Sequence, residues 1–138
     1  MIKQFYMTII VALISTSVNA SEEIYNNWME KGKVASFCHG QSHYLGVERL
    51  EEIISSFGDD KALEVINLGE ENNNKFIETA AAPYKDERLS KLWSQRLLAQ
   101  TFSDVFTGAT EEGMEFAESN YNLKGLKYTV KTYLDYCK

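Results

Sequence analysis

Proline is almost missing from this chain: Pro83 stands alone among 138 residues, and the eight glycines are scattered singly. All-β domains of this size need many tight turns built from those two residue types, so an all-β fold is excluded. Basic residues are outnumbered, 14 against 20 acidic, and they form no run. Nucleic-acid affinity comes largely from Lys and Arg neutralising phosphates, so no nucleic-acid partner is expected. Cysteine is limited to Cys38 and Cys137 and histidine to His39 and His43. No Cys-x-x-Cys pair is present, which leaves a thioredoxin-like redox role without support. The Gly-x-Ser-x-Gly, phosphate-loop and calcium-loop patterns are also missing. These absences predict a protein that is not an enzyme and carries no cofactor.

What is there begins with residues 1–20: one lysine, a short apolar run from Phe5 to Ile14, then small residues ending Val18-Asn19-Ala20. That order predicts a secretory signal peptide cleaved after Ala20. The apolar core is shorter than the roughly 20 residues a spanning helix needs. No stable membrane insertion is expected after cleavage, and the location is periplasmic or secreted. Residues 21–138 then form one domain of net charge −7, since the leader removes only Lys3 from a chain of −6. In an oxidising compartment two cysteines read as one disulfide, Cys38–Cys137. Closing a loop of about 100 residues is worth ~4–5 kcal/mol in the chain-entropy model.

Apolar spacings of three and four run through the chain, so the fold class is all-α: a single compact bundle of about five or six helices, stapled by one disulfide. Ser21-Glu22-Glu23 can cap a first helix. The stretch from Val34 to Phe57 carries apolar residues on two nearly opposite faces that switch at Gly46. Either a central helix is covered on both sides or the helix breaks near Gly40 or Gly46, and the central helix is the favoured expectation. Gly58-Asp59-Asp60 marks a turn. A helix from Lys61 is expected to break near Gly69, because Asn72-Asn73-Asn74 are poor helix formers, and Pro83 is expected to stop the next one. Asp86–Thr107 reads as the longest helix, capped by Gly108, with a new start at Thr110-Glu111-Glu112. The last helix is expected from Asn122. Its stripe Leu126, Val130, Tyr133, Leu134 and Cys137 is the cleanest in the chain.

His39 and His43 are four apart, so on a helix they share a face and could grip a metal. The spacing lacks the glutamate of His-Glu-x-x-His and no third ligand is fixed by position, so no metal site is assigned. A Cys38/His39 nucleophile pair fails because adjacent helical residues point about 100° apart. The doublets Glu51-Glu52, Asp59-Asp60, Glu70-Glu71 and Glu111-Glu112 read as caps and solvated faces. Seven tyrosines follow the leader: Tyr25, Tyr44, Tyr84, Tyr121, Tyr128, Tyr133 and Tyr136. Tyrosine favours interfaces. Tyr84 and Tyr121 are expected near exposed turns, and Tyr128 and Tyr136 off the buried stripe. No set of binding residues can be fixed further.

The expected partner is therefore another protein, and the expected function is that of an exported protein-binding module. Phe37-Cys38-His39-Gly40, Tyr44-Leu45-Gly46-Val47 and Val130-Lys131-Thr132-Tyr133-Leu134 are similar to stretches of the small periplasmic Rap1a/Tai immunity proteins. That resemblance implies inhibition of a delivered wall-degrading toxin. A secretion adaptor or periplasmic chaperone fits the same composition. A further alternative is a metal-binding protein or small enzyme centred on His39 and His43.

Overall fold

The computed structural model describes residues 2–85, 87 and 94–138, with side chains from Glu22 onward except at 83, 84 and 95. Among these residues the chain is helical and has no strand. Helix α1 (Ile2–His43) continues into a wide π turn at Tyr44–Glu48. Helices α2 (Leu50–Phe57) and α3 (Asp59–Lys85) follow. Helix α4 (Gln95–Thr101) passes through a second π turn, Phe102–Phe106, into α5 (Thr107–Lys124), and α6 (Leu126–Cys137) comes last. Counted through the π turns, the described residues form five continuous helices, and the Cys38–Cys137 disulfide is present.

Two glycines set the corners. Gly58 and Gly125 both have φ +86°, a region that side chains rarely adopt. The Gly58 amide donates to the Ile54 carbonyl and the Gly125 amide to that of Tyr121, both at 2.9 Å, closing α2 and α5. Asp59 and Asp60 then face the positive end of the α3 macrodipole. The turn at Gly58 matches the sequence-based expectation. The last helix starts at Leu126, after Gly125, and Asn122 still belongs to α5.

Several expected breaks do not occur. Ser21 lies inside α1, so no helix starts there. Helix α3 runs straight through Gly69 and the asparagines. Asn72 is buried there, and its Nδ2 donates to Tyr133 Oη at 3.2 Å. Tertiary packing thus overrides weak local propensity. Pro83 does not stop the helix either. A proline at that position leaves the carbonyl of Thr79 without its usual amide partner. Trp28 Nε1 donates to that carbonyl at 2.9 Å and fills the gap. Ser94 is extended (ψ 147°) and its side chain accepts from the Leu97 amide. A helix therefore begins after Ser94, which overturns one helix over Asp86–Thr107; the expected start at Asp86 lies outside the described residues. Gly108 ends nothing, because α5 continues through it and through Thr110.

The Val34–Phe57 stretch is not one central helix. Its first half is the end of α1, the π turn spans the switch at Gly46, and α2 departs after Arg49. An i→i+5 turn adds a residue to one helical turn and so rotates the face that follows. The expected second apolar face forms only in part: Leu50 and Phe57 pack on the core beside the buried Ile53, whereas Val47 and Ile54 are exposed.

Helix α1 packs mainly along α5 and α3. Its contact with α5 is close because the side chains are small. A Cβ on Gly40 would meet the Thr110 carbonyl oxygen, and one on Gly113 would meet that of Phe37. Gly32 leaves room for the ring of Phe106, which is fully buried. One core cluster joins Cys38, Leu45, Ile53, Val65, Tyr133 and Cys137 among others. A second gathers around Trp28, Leu98 and Phe106. Each large apolar side chain buried this way contributes roughly 1.5–3 kcal/mol.

Candidate functional site

The tight α1–α5 contact has a consequence at the surface. It brings Phe37 of α1 against Phe116 of α5, with ring centroids 5.2 Å apart. The disulfide brings the end of α6 to α1, with Cα atoms of Cys38 and Cys137 5.6 Å apart. Tyr136 then meets Phe37 edge-on at 5.9 Å. Val34, one turn before Phe37, lies on the same side. Three of these four remain open to solvent: Val34 is 51% exposed, Phe116 39% and Tyr136 58%. Three aromatic side chains and Val34 form a ridge.

A cleft runs along each flank, and both Val34 and Tyr136 line both clefts. One, about 470 Å³, is walled by Asp104, Val105, Ala109 and Glu112. The other, about 510 Å³, lies between α1, α3 and α6. Its wall includes the disulfide and the buried Asn72, and its rim carries Lys31, Lys75 and Glu78.

Beneath this surface several buried polar groups satisfy one another. Tyr133 Oη is 2.7 Å from Ser42 Oγ and also accepts from Asn72. Ser42 Oγ donates to the Cys38 carbonyl at 2.8 Å, and Gln41 Nε2 lies 3.6 Å from Cys137 Sγ. Burial pushes the Tyr133 phenol above its ordinary pKa. This network surrounds the bridge and holds α1, α3 and α6 in register.

A second cluster clamps the bend after the first π turn. Arg49 Nε donates to Tyr44 Oη at 3.0 Å and Nη1 to Glu52 at 3.1 Å. Its guanidinium sits 4.1 Å from the centroid of the Tyr121 ring. The Tyr121 hydroxyl donates to Glu52 at 2.7 Å, and that hydrogen bond raises its pKa. Every group in the cluster is engaged with another, so it reads as a structural clamp. Tyr121 is thus half-buried, contrary to the exposed turn expected from sequence.

The remaining tyrosines divide as follows. Tyr44 and Tyr133 are buried, and Tyr25 Oη is 2.7 Å from Thr101 Oγ1. Tyr128 and Tyr136 are exposed, as their position off the Cys137 stripe predicts. The Tyr84 side chain lies outside the described residues. Phe116, Val34 and the ridge itself were not singled out from sequence. The signal was faint: an apolar residue off the buried stripe of each of three helices.

His39 and His43 do share a face of α1. His39, however, stacks on Phe76, with centroids 4.7 Å apart and planes 11° from parallel. Burial, and secondarily His43, holds its pKa below the ordinary histidine value. His43 is exposed. Among the described residues no three His, Cys, Asp or Glu side chains converge as a metal site. The disulfide also removes Cys38 as a partner for His39. Glu51-Glu52 and Asp59-Asp60 lie in first helical turns, whereas Glu70-Glu71 and Glu111-Glu112 lie on exposed faces within α3 and α5.

No family model, curated protein or solved structure matches this chain. Among the described residues no helix is long and apolar enough to cross a membrane. What the surface can do follows from its own chemistry. An exposed aromatic ridge between two clefts offers large rigid contact area, a polar phenol tip and space on either side for a partner's side chains.

Proposed function

We propose that this chain is an exported, non-catalytic protein-binding module that engages its partner through the ridge of Val34, Phe37, Phe116 and Tyr136. The observation that carries this reading is the ridge itself. Exposed apolar surface that is contiguous, and not scattered, marks contact sites. Binding energy at interfaces concentrates in a few aromatic anchors seated beside pockets. The bridge supports export, because disulfides persist in oxidising compartments. The similarity to Rap1a/Tai immunity proteins makes a delivered wall-degrading enzyme the first partner to test.

The test pairs Val34→Asp with Tyr136→Ala. Both positions are exposed, so the helical circular dichroism spectrum should be retained. Wild-type protein should bind a peptidoglycan hydrolase encoded beside its own gene and block its hydrolysis of purified cell wall. The double variant should lose roughly 2 kcal/mol or more of that affinity by calorimetric titration. Undiminished binding by the double variant would remove the ridge as the contact. Lack of binding to any envelope protein of the native source would end the reading as a whole.

A further inference from the structure

Residues 124–138 hold Lys124, Lys127, Lys131 and Lys138 against one acid, Asp135, so this segment carries +3 in a chain of net charge −6. The residues before it therefore carry −9. Three of these lysines, Lys127, Lys131 and Lys138, join Lys61 around a cleft of about 370 Å³ between the end of α2, the start of α3 and α6. Phe57, Val130 and Leu134 supply its apolar lining. The acids beside it are Glu64 and Asp135. Glu64 is already engaged by Lys61 at 2.9 Å and by Lys138 at 3.5 Å. Lys127 and Lys131 are exposed and form no ion pair among the described residues.

We propose that this cleft docks an acidic peptide segment of a partner protein. One apolar side chain sits against Phe57, Val130 and Leu134, and flanking carboxylates meet Lys127 and Lys131. Charge complementarity selects this occupant. The rest of the chain is strongly acidic and repels such a segment, so the potential of the whole molecule steers it to this lysine-rich cleft. The recessed apolar lining gives a side chain a place that a flat lipid headgroup layer cannot use. The inference rests on the chain being a protein-binding module, but on residues separate from the ridge. Lys138 lines both this cleft and the one beside the disulfide, so a single partner can reach both.

The probe is a fluorescein-labelled peptide of glutamates around a central Leu-Phe pair, titrated with the full, disulfide-bonded protein by anisotropy. Saturable binding that weakens with added salt is expected. Reversing both exposed charges, K127E with K131E, should lower affinity about tenfold, as expected for two rim charges. The Val34→Asp/Tyr136→Ala variant should bind the peptide like the wild type, which separates failure of this inference from failure of the ridge. The inference is overturned if binding does not saturate, if K127E/K131E leaves it unchanged, or if a peptide with serines at the centre binds equally well. Charge-dependent binding to phosphatidylglycerol vesicles without binding to the peptide would overturn it in favour of a headgroup.

Discussion

The imidazole of His39 lies flat on Phe76 with its Nδ1 buried and unpartnered. Protonation would place a charge in that setting, and both burial and His43 oppose it. The sign of the pH effect follows. The unfolded chain takes up the proton near pH 6.5, while folded His39 takes it up only at lower pH. Between those two values the unfolded state binds more protons, so stability falls as pH falls and levels off once the folded ring has titrated. Above the ordinary histidine value both states are neutral and no cost remains. Urea unfolding at pH 7.5 and 5.5 should show this loss in the wild type and a smaller one in His39→Gln. Equal losses in both would assign the effect to other groups. A sequence places His39 and His43 on one face, but it cannot tell a ring that packs from a ring that ligates. Only the position of Phe76, thirty-seven residues on, distinguishes the two.

At the scale of elements, the pairing of α1 with α5 depends on residues that contribute no side chain. Gly40→Ala would drive a methyl into the Thr110 carbonyl, which belongs to backbone and cannot turn aside. Over-packing of this kind costs typically 1–3 kcal/mol. Gly108 is in the same helix pair but its Cβ would meet nothing within 4 Å. Gly108→Ala should therefore be neutral or stabilise by about 0.5–1 kcal/mol through helix propensity. Chemical denaturation of both variants checks the contrast, and equal effects would mean that the close approach is unimportant. Spacing alone disclosed the elements whose apolar period matches their buried face. The α6 stripe of Val130, Tyr133, Leu134 and Cys137 is buried as expected. Punctuation residues misled wherever a distant partner compensated. Asn72 answers to Tyr133, and the Thr79 carbonyl near Pro83 answers to Trp28. Gly108 and Gly69 looked like stops, but an isolated glycine inside a packed helix costs only about 1 kcal/mol against alanine.

For the whole molecule, the bridge spans a sequence separation of 99 and ties α6 to α1 beside the ridge. Its pairing was legible because the chain offers one way to pair two cysteines; the ridge was not, since it is assembled from three helices whose relative placement no spacing records. Replacing both cysteines by serine should remove up to ~4–5 kcal/mol on the loop-entropy estimate for about 100 residues. Comparing urea midpoints of wild-type protein with and without reductant, and of the double serine variant, measures it. A midpoint unmoved by either change would show that α6 is held by packing alone. The bridge also gives the molecule a covalent topology: residues 38–137 form a closed ring. A single cut at any peptide bond inside that ring opens the circle without dividing the molecule. A nicked chain would keep the mass of the intact one plus a water, and would separate into two pieces only after reduction.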